Sequence, residues 1–199
     1  MTTVQSRREV ILLVLRAGGI TALAGTGTLL SACASSTDRR NMAASSHFSE
    51  AQIVWLDEVA ETILPTTDTP GAKAAGVGAF IALMVTDTYS PEERRIFMNG
   101  MTQLESECIA SFQRGYMEAD ANQRHELLVH LDQEAHDHGL TLVAEDPPHY
   151  FRMIKQLTLL GYFTSEIGYT QAMRYVETPG RWDPCVDYQP GERAWARHA

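Results

Sequence analysis

The sequence predicts an all-α fold, a small helical bundle followed by an irregular aromatic C-terminal tail. Three observations carry that expectation. Apolar residues recur at helical spacing, as in the stripe Phe97, Met101, Leu104, Cys108 and Phe112. Helix-start signals stand before such windows: Ser49 with Gln52 forms one capping box and Ser90-Pro91-Glu92-Glu93 another. No stretch alternates apolar and polar residues in the manner of a half-buried strand.

The elements follow in order. A helix after Ser49 directs Ile53, Leu56, Ala60 and Ile63 inward and ends at Pro65. Residues 64–72, Leu-Pro-Thr-Thr-Asp-Thr-Pro-Gly-Ala, read as a loop. A short helix from Val77 to Asp87 is expected to turn Phe80, Leu83 and Met84 inward. The Ser90 signal opens a long helix that places Cys108 on the buried face. The next helix begins near Asp120, carries Leu128, Leu131 and Ala135 as its stripe, and is expected to stop at Gly139. Asp146-Pro147-Pro148 opens another, with Tyr150, Ile154, Leu157 and Gly161 aligned. A further short helix is expected over Ser165–Tyr175. Beyond Val176, Pro179, Gly180, Pro184, Pro190 and Gly191 break regular structure, yet Trp182, Tyr188 and Trp195 keep the tail aromatic. Disordered tails are poor in such residues, so this one is expected to lie either on its own helices or on a partner.

The first 32 residues read as a targeting segment rather than as fold. Arg7 and Arg8 precede a weakly apolar run diluted by Gly18, Gly19, Gly25 and Gly27, the pattern of a twin-arginine export signal. Val10 and Arg16 depart from that pattern; an ordinary secretory signal with a chance arginine pair is the competing reading. Leu30-Ser31-Ala32-Cys33 has the form of a lipobox, with the Cys33 thiol as acceptor of the lipid. A plain signal with an accidental cysteine is its rival. Residues 33–46 are polar and small, as in a flexible tether, and 47–199 form the helical domain. The expected location is therefore the periplasm, tethered to the membrane.

Charge narrows the partners. Residues 1–32 hold three arginines against Glu9, a net of +2; removing it from the whole-chain −9 leaves −11 on residues 33–199. Nucleic acid, which requires a basic surface, is excluded as an expected partner. After Cys33, Cys108 and Cys185 remain. In an oxidising compartment a disulfide between them is expected, with two free thiols as the alternative.

The chemistry-bearing motifs are absent. There is no strand-borne Gly-x-Gly-x-x-Gly, no Cys-x-x-Cys-His and no Gly-x-Ser-x-Gly. Gly76-Val77-Gly78 follows a loop and reads as a helix start. His125, His130, His136 and His138 crowd one helix, and Asp132/His136 and Glu134/His138 have i,i+4 spacing, but the inward positions there are leucines. These pairs read as solvated surface, and no catalytic, cofactor or metal site is expected in the chain.

Three stretches carry a resemblance: residues 64–72 with Ala75-Gly76-Val77, residues 157–168 (Leu-Thr-Leu-Leu-Gly-Tyr-Phe-Thr-Ser-Glu-Ile-Gly), and Pro179-Gly180-Arg181-Trp182 with Cys185. Together they resemble the gluconate 2-dehydrogenase subunit 3 family over about residues 48–199. The resemblance implies a non-catalytic small subunit of a membrane-associated dehydrogenase complex. It implies a large partner that carries FAD and oxidises a sugar, polyol or sugar acid, and often a cytochrome c subunit. The small subunit would supply the export signal and stabilise the large one. The lipobox at Cys33 departs from that pattern. A stand-alone lipoprotein that acts as a scaffold or binding module is the alternative. Partner contacts are expected at Tyr162, Phe163, Arg174, Tyr175, Trp182, Tyr188 and Trp195, because aromatic and arginine side chains dominate interface energetics. For Tyr162 and Phe163, simple core packing competes.

Overall fold

The computed structural model describes residues 47–143, 146–178, 180–181, 185–187 and 189–196. All fall within Ser36–Ala199, the larger of two structural units; the other, Met1–Ser35, contains no described residue. The signal arginines Arg7 and Arg8, the Cys33 lipobox, the tether and the tail aromatics Trp182 and Tyr188 lie outside the described residues.

The described residues form five α-helices, α1 (Glu50–Ile63), α2 (Val77–Thr88), α3 (Pro91–Phe112), α4 (Ala121–Thr141) and α5 (Tyr150–Phe163), followed by a π-helical turn over Gly168–Ala172. No strand occurs among the described residues, so the domain is all-α as expected. Helix starts are set by short-range chemistry. Ser49, Ser90 and Asp120 each accept a hydrogen bond from the backbone three residues on, and Gln52, Glu93 and Gln123 reach back to complete the boxes.

α5 is the central helix and packs against α1, α2, α3 and α4. Its buried side chains include Phe151, Ile154, Leu157 and Thr158, whose hydroxyl donates to the Ile154 carbonyl at 2.9 Å. Around it the core gathers Leu56 and Val59 from α1, Phe97, Leu104 and Cys108 from α3, and Leu128 and Leu131 from α4. Polar staples fasten the rim. Arg94 donates to the carbonyls of Thr86 and Tyr89 and closes the C-terminus of α2. Arg124 donates from Nε to the Tyr116 carbonyl and from Nη1 to Glu58, at 2.9 Å each. Glu58 also pairs with Lys73, and that ammonium, ahead of Arg124, holds the Glu58 carboxyl below the usual range.

Four expectations need correction. α2 buries Val77, Ile81 and Val85, whereas Leu83 is exposed and Phe80 and Met84 are only part-buried. The helix is apolar on nearly every side, so periodicity alone did not single out its inner face. α4 runs through Gly139 to Thr141, because nothing there demands a left-handed residue. α5 begins at Tyr150 with His149 as N-cap, not at Asp146. The Ser165–Tyr175 helix shrinks to a π turn that ends when Met173 becomes extended.

α1 and α2 touch closely at Gly78. Its N–H donates to Asp57 Oδ1 at 2.7 Å, and an added Cβ would lie 2.6 Å from both that oxygen and the Ile53 carbonyl. Gly78→Ala should therefore cost about 1–3 kcal/mol by forcing the helices apart, despite alanine's better helix propensity. Urea unfolding checks this; an unshifted midpoint would mean the contact has slack.

Candidate functional site

The two longer sequence motifs meet in one joint. Glu61, in the last turn of α1, organises the loop after it. Its Oε1 accepts from the Thr66 N–H at 2.9 Å and the Thr66 hydroxyl at 2.8 Å, and its Oε2 accepts from the Lys73 N–H at 2.9 Å. The Thr66 hydroxyl in turn accepts from the Gly71 N–H at 3.0 Å. Gly71 must lack a side chain, since a Cβ there would overlap the Glu61 carboxylate. From the other side Tyr162 donates its hydroxyl to the Pro70 carbonyl at 2.7 Å. Gly161 lets α5 approach α2, because a Cβ would lie 2.6 Å from Phe80. Ser165 donates to the Tyr162 carbonyl at 2.7 Å and accepts from the Gly168 N–H at 3.0 Å. The polar groups of each motif are thus taken up largely within the fold, and the Tyr162 hydroxyl joins the two motifs. Their work is architectural.

The outward side of α5 is different. Arg152, Lys155, Gln156, Leu159, Leu160 and Phe163 recur at steps of three and four, so they share one side of the helix. Its first half is cationic. Its last turns are apolar and open, with Leu160 46% and Phe163 38% exposed. A helix that touches four others thus still presents two leucines and a phenylalanine side by side to solvent.

The tail folds back on its own start. Arg174 N–H donates to the Ala194 carbonyl and Ala196 N–H to the Arg174 carbonyl, each at 2.8 Å, which makes a parallel bridge between Arg174 and Trp195. The Arg174 guanidinium lies 4.6 Å over the Trp195 ring and 3.4 Å from Glu192. Ala196 is buried, while Tyr175, Val176 and Trp195 remain exposed.

These positions sort the expected partner contacts. Phe163, Tyr175 and Trp195 are open to a partner. Arg174 is engaged in stapling the tail. Tyr162 is a core residue at 5% exposure, with its hydroxyl committed to Pro70. The Cys108–Cys185 bridge is not formed. Both cysteines are free thiols in this structure: Cys108 is sealed in the core, where burial raises its thiol pKa, and Cys185 is exposed on the tail.

His125, His130, His136 and His138 all lie on α4, and among the described residues no group of three His, Cys, Asp or Glu side chains is placed to hold a metal ion. His149, which sequence reasoning passed over, has a structural role. Its Nδ1 accepts from the Phe151 N–H at 3.3 Å, and its ring lies 5.7 Å from His138 and 4.7 Å from Tyr150. Glu61 was also missed. No local pattern marks it, since its loop partners extend up to twelve residues away.

The sequence profile of the gluconate 2-dehydrogenase subunit 3 family matches residues 50–180, roughly two thirds of the chain. The chain belongs to that family. Searches of curated proteins and of solved structures gave no match. Membership places it among the accessory subunits of dehydrogenase complexes. The matched span contains the Glu61–Tyr162 joint, the outward side of α5 and Tyr175, and ends before Trp195.

Two outcomes follow from this geometry. Tyr162→Phe should destabilise the domain by about 1–2 kcal/mol, because the Pro70 carbonyl loses its donor; thermal or urea unfolding reads it. His149 resists protonation in the folded state, first because of burial and then because of His138. The unfolded chain takes up that proton near the ordinary value of 6.5. Stability should therefore fall as pH drops through that value and level off once the folded His149 is protonated. His149→Asn, which caps without titrating, should remove this step in urea melts between about pH 7.5 and about pH 5.

Proposed function

We propose that this chain is the non-catalytic small subunit that exports, stabilises and tethers a large FAD-dependent dehydrogenase acting on a sugar, polyol or sugar acid. The observation that carries the reading is the unfilled apolar side of α5, at Leu159, Leu160 and Phe163, on a domain of this family. The tail aromatics Tyr175 and Trp195 extend the contact, with Trp182 and Tyr188 assigned to it from the sequence. Arg7 and Arg8 provide the twin-arginine address, so a flavin-loaded partner crosses the membrane already folded. Cys33 provides the lipid that holds the pair at the membrane in the periplasm, and a cytochrome c subunit receives the electrons. The chain brings surface and address; FAD and the substrate site belong to the partner.

A stand-alone lipoprotein scaffold is the second reading. It is favoured by a buried core that runs from Phe48 to Tyr162 without help from another chain.

Purification of the native protein from membranes separates the two. The complex should carry a large chain with the visible absorption of flavin. Leu160→Asp with Phe163→Asp should release that chain while the helical circular dichroism stays unchanged. A colourless monomer would favour the scaffold.

A further inference from the structure

An open groove of about 670 Å³ lies between α4 and α5. Its walls include Gly139 and Leu140 from α4 and Arg152, Lys155 and Leu159 from α5. Two of its charges cancel, since Lys155 Nζ is 2.6 Å from Asp132 Oδ1. Arg152 is different. Among the described residues it enters no ion pair and no hydrogen bond. A Cβ placed on Gly139 would lie 3.7 Å from Arg152 Nη1, so the guanidinium rests across the groove against α4, where no side chain stands in its way. Leu140 is 74% exposed, and Leu159 is open as well.

An exposed guanidinium with no partner among the described residues stands out on a domain whose net charge after residue 32 is −11. Arginine presents a planar fork that binds a carboxylate through two parallel hydrogen bonds. Beside leucines such a contact becomes partly desolvated and gains strength. The groove therefore combines an anion-seeking fork with apolar residues in its lining, between α4 and α5. This is the chemistry that receives an amphipathic segment in a helix-lined groove.

We propose that the α4–α5 groove receives an amphipathic segment of the large dehydrogenase subunit, with an Asp or Glu of that segment paired to Arg152 and leucine-sized side chains against Leu140 and Leu159. This deepens the proposed function and rests on it. The groove continues onto the apolar side of α5 through Leu159, so both contacts serve one partner. Positive charge at the groove also orients an acidic segment during encounter, before the apolar contacts close.

The test uses the full chain co-expressed with the flavin-bearing large subunit found in the native complex. Arg152→Glu and the pair Leu140→Ser with Leu159→Ser should each weaken the complex at least tenfold. Arg152→Ala should weaken it less and flatten its dependence on salt, since the screened contact is gone. All of these positions are on the surface, and an unchanged melting temperature of each free variant confirms that folding is intact. If the wild-type complex forms and all variants bind equally, the groove assignment fails while the proposed function stands. If the wild-type chain binds no flavoprotein, both fail. If sedimentation shows a homodimer that Arg152→Glu dissociates, the occupant is a second copy, and the assignment to the large subunit is overturned.

Discussion

The Tyr162 hydroxyl meets the Pro70 carbonyl at 2.7 Å, and that contact fastens the end of the central helix to the loop that follows α1. α5 touches each of the other four described α-helices, so its rotation about its own axis decides which of its groups reach solvent. With Tyr162 turned inward, Phe163 lies about 100° further round the helix and falls on the outward side with Leu159 and Leu160. The neighbours in sequence thus divide the work. One locks the bundle and the other presents apolar surface.

The loop end of that joint depends on a single carboxylate. Glu61 satisfies the backbone of Thr66 and Lys73 together with the Thr66 hydroxyl, groups that would otherwise compete for water. A loop rich in threonine, proline and glycine looks as though it should bind something. Here the Thr66, Gly71 and Lys73 backbone donors and the Pro70 carbonyl are taken up within the fold, and its length of chain serves to place α2. The surfaces left open are those that regular helices present, the outward side of α5 and the rim of α4.

The tail shows the same economy with weaker parts. Among the described residues, the contacts that hold this proline- and glycine-rich stretch include a parallel bridge, the Arg174–Trp195 stack, an ion pair to Glu192 and the Arg193 guanidinium donating to the Gln171 carbonyl. Exposed contacts of this kind contribute modestly, so the tail is ordered near Arg174 while its aromatic faces stay available.

Helix identity and helix starts were legible because they are written in neighbouring residues: Ser49 with Gln52, Ser90 with Glu93, and the three-to-four spacing of Leu128, Leu131 and Ala135. The family resemblance was legible for a related reason, since the motif residues stand in contiguous runs. What the sequence did not disclose is every feature that joins distant residues. Nothing near Glu61 announces its loop partners, and nothing near Arg174 announces Trp195. The all-apolar α2 gave no hint that Val77, Ile81 and Val85, rather than Leu83, face inward. Cys108 and Cys185 could be counted but not placed; in the structure one is buried, the other is exposed, and both are free. Local hydrogen bonding and periodicity act over one or two helical turns and can be read along the chain; packing selects among faces only when the helices meet, so the contact surface belongs to the tertiary structure alone.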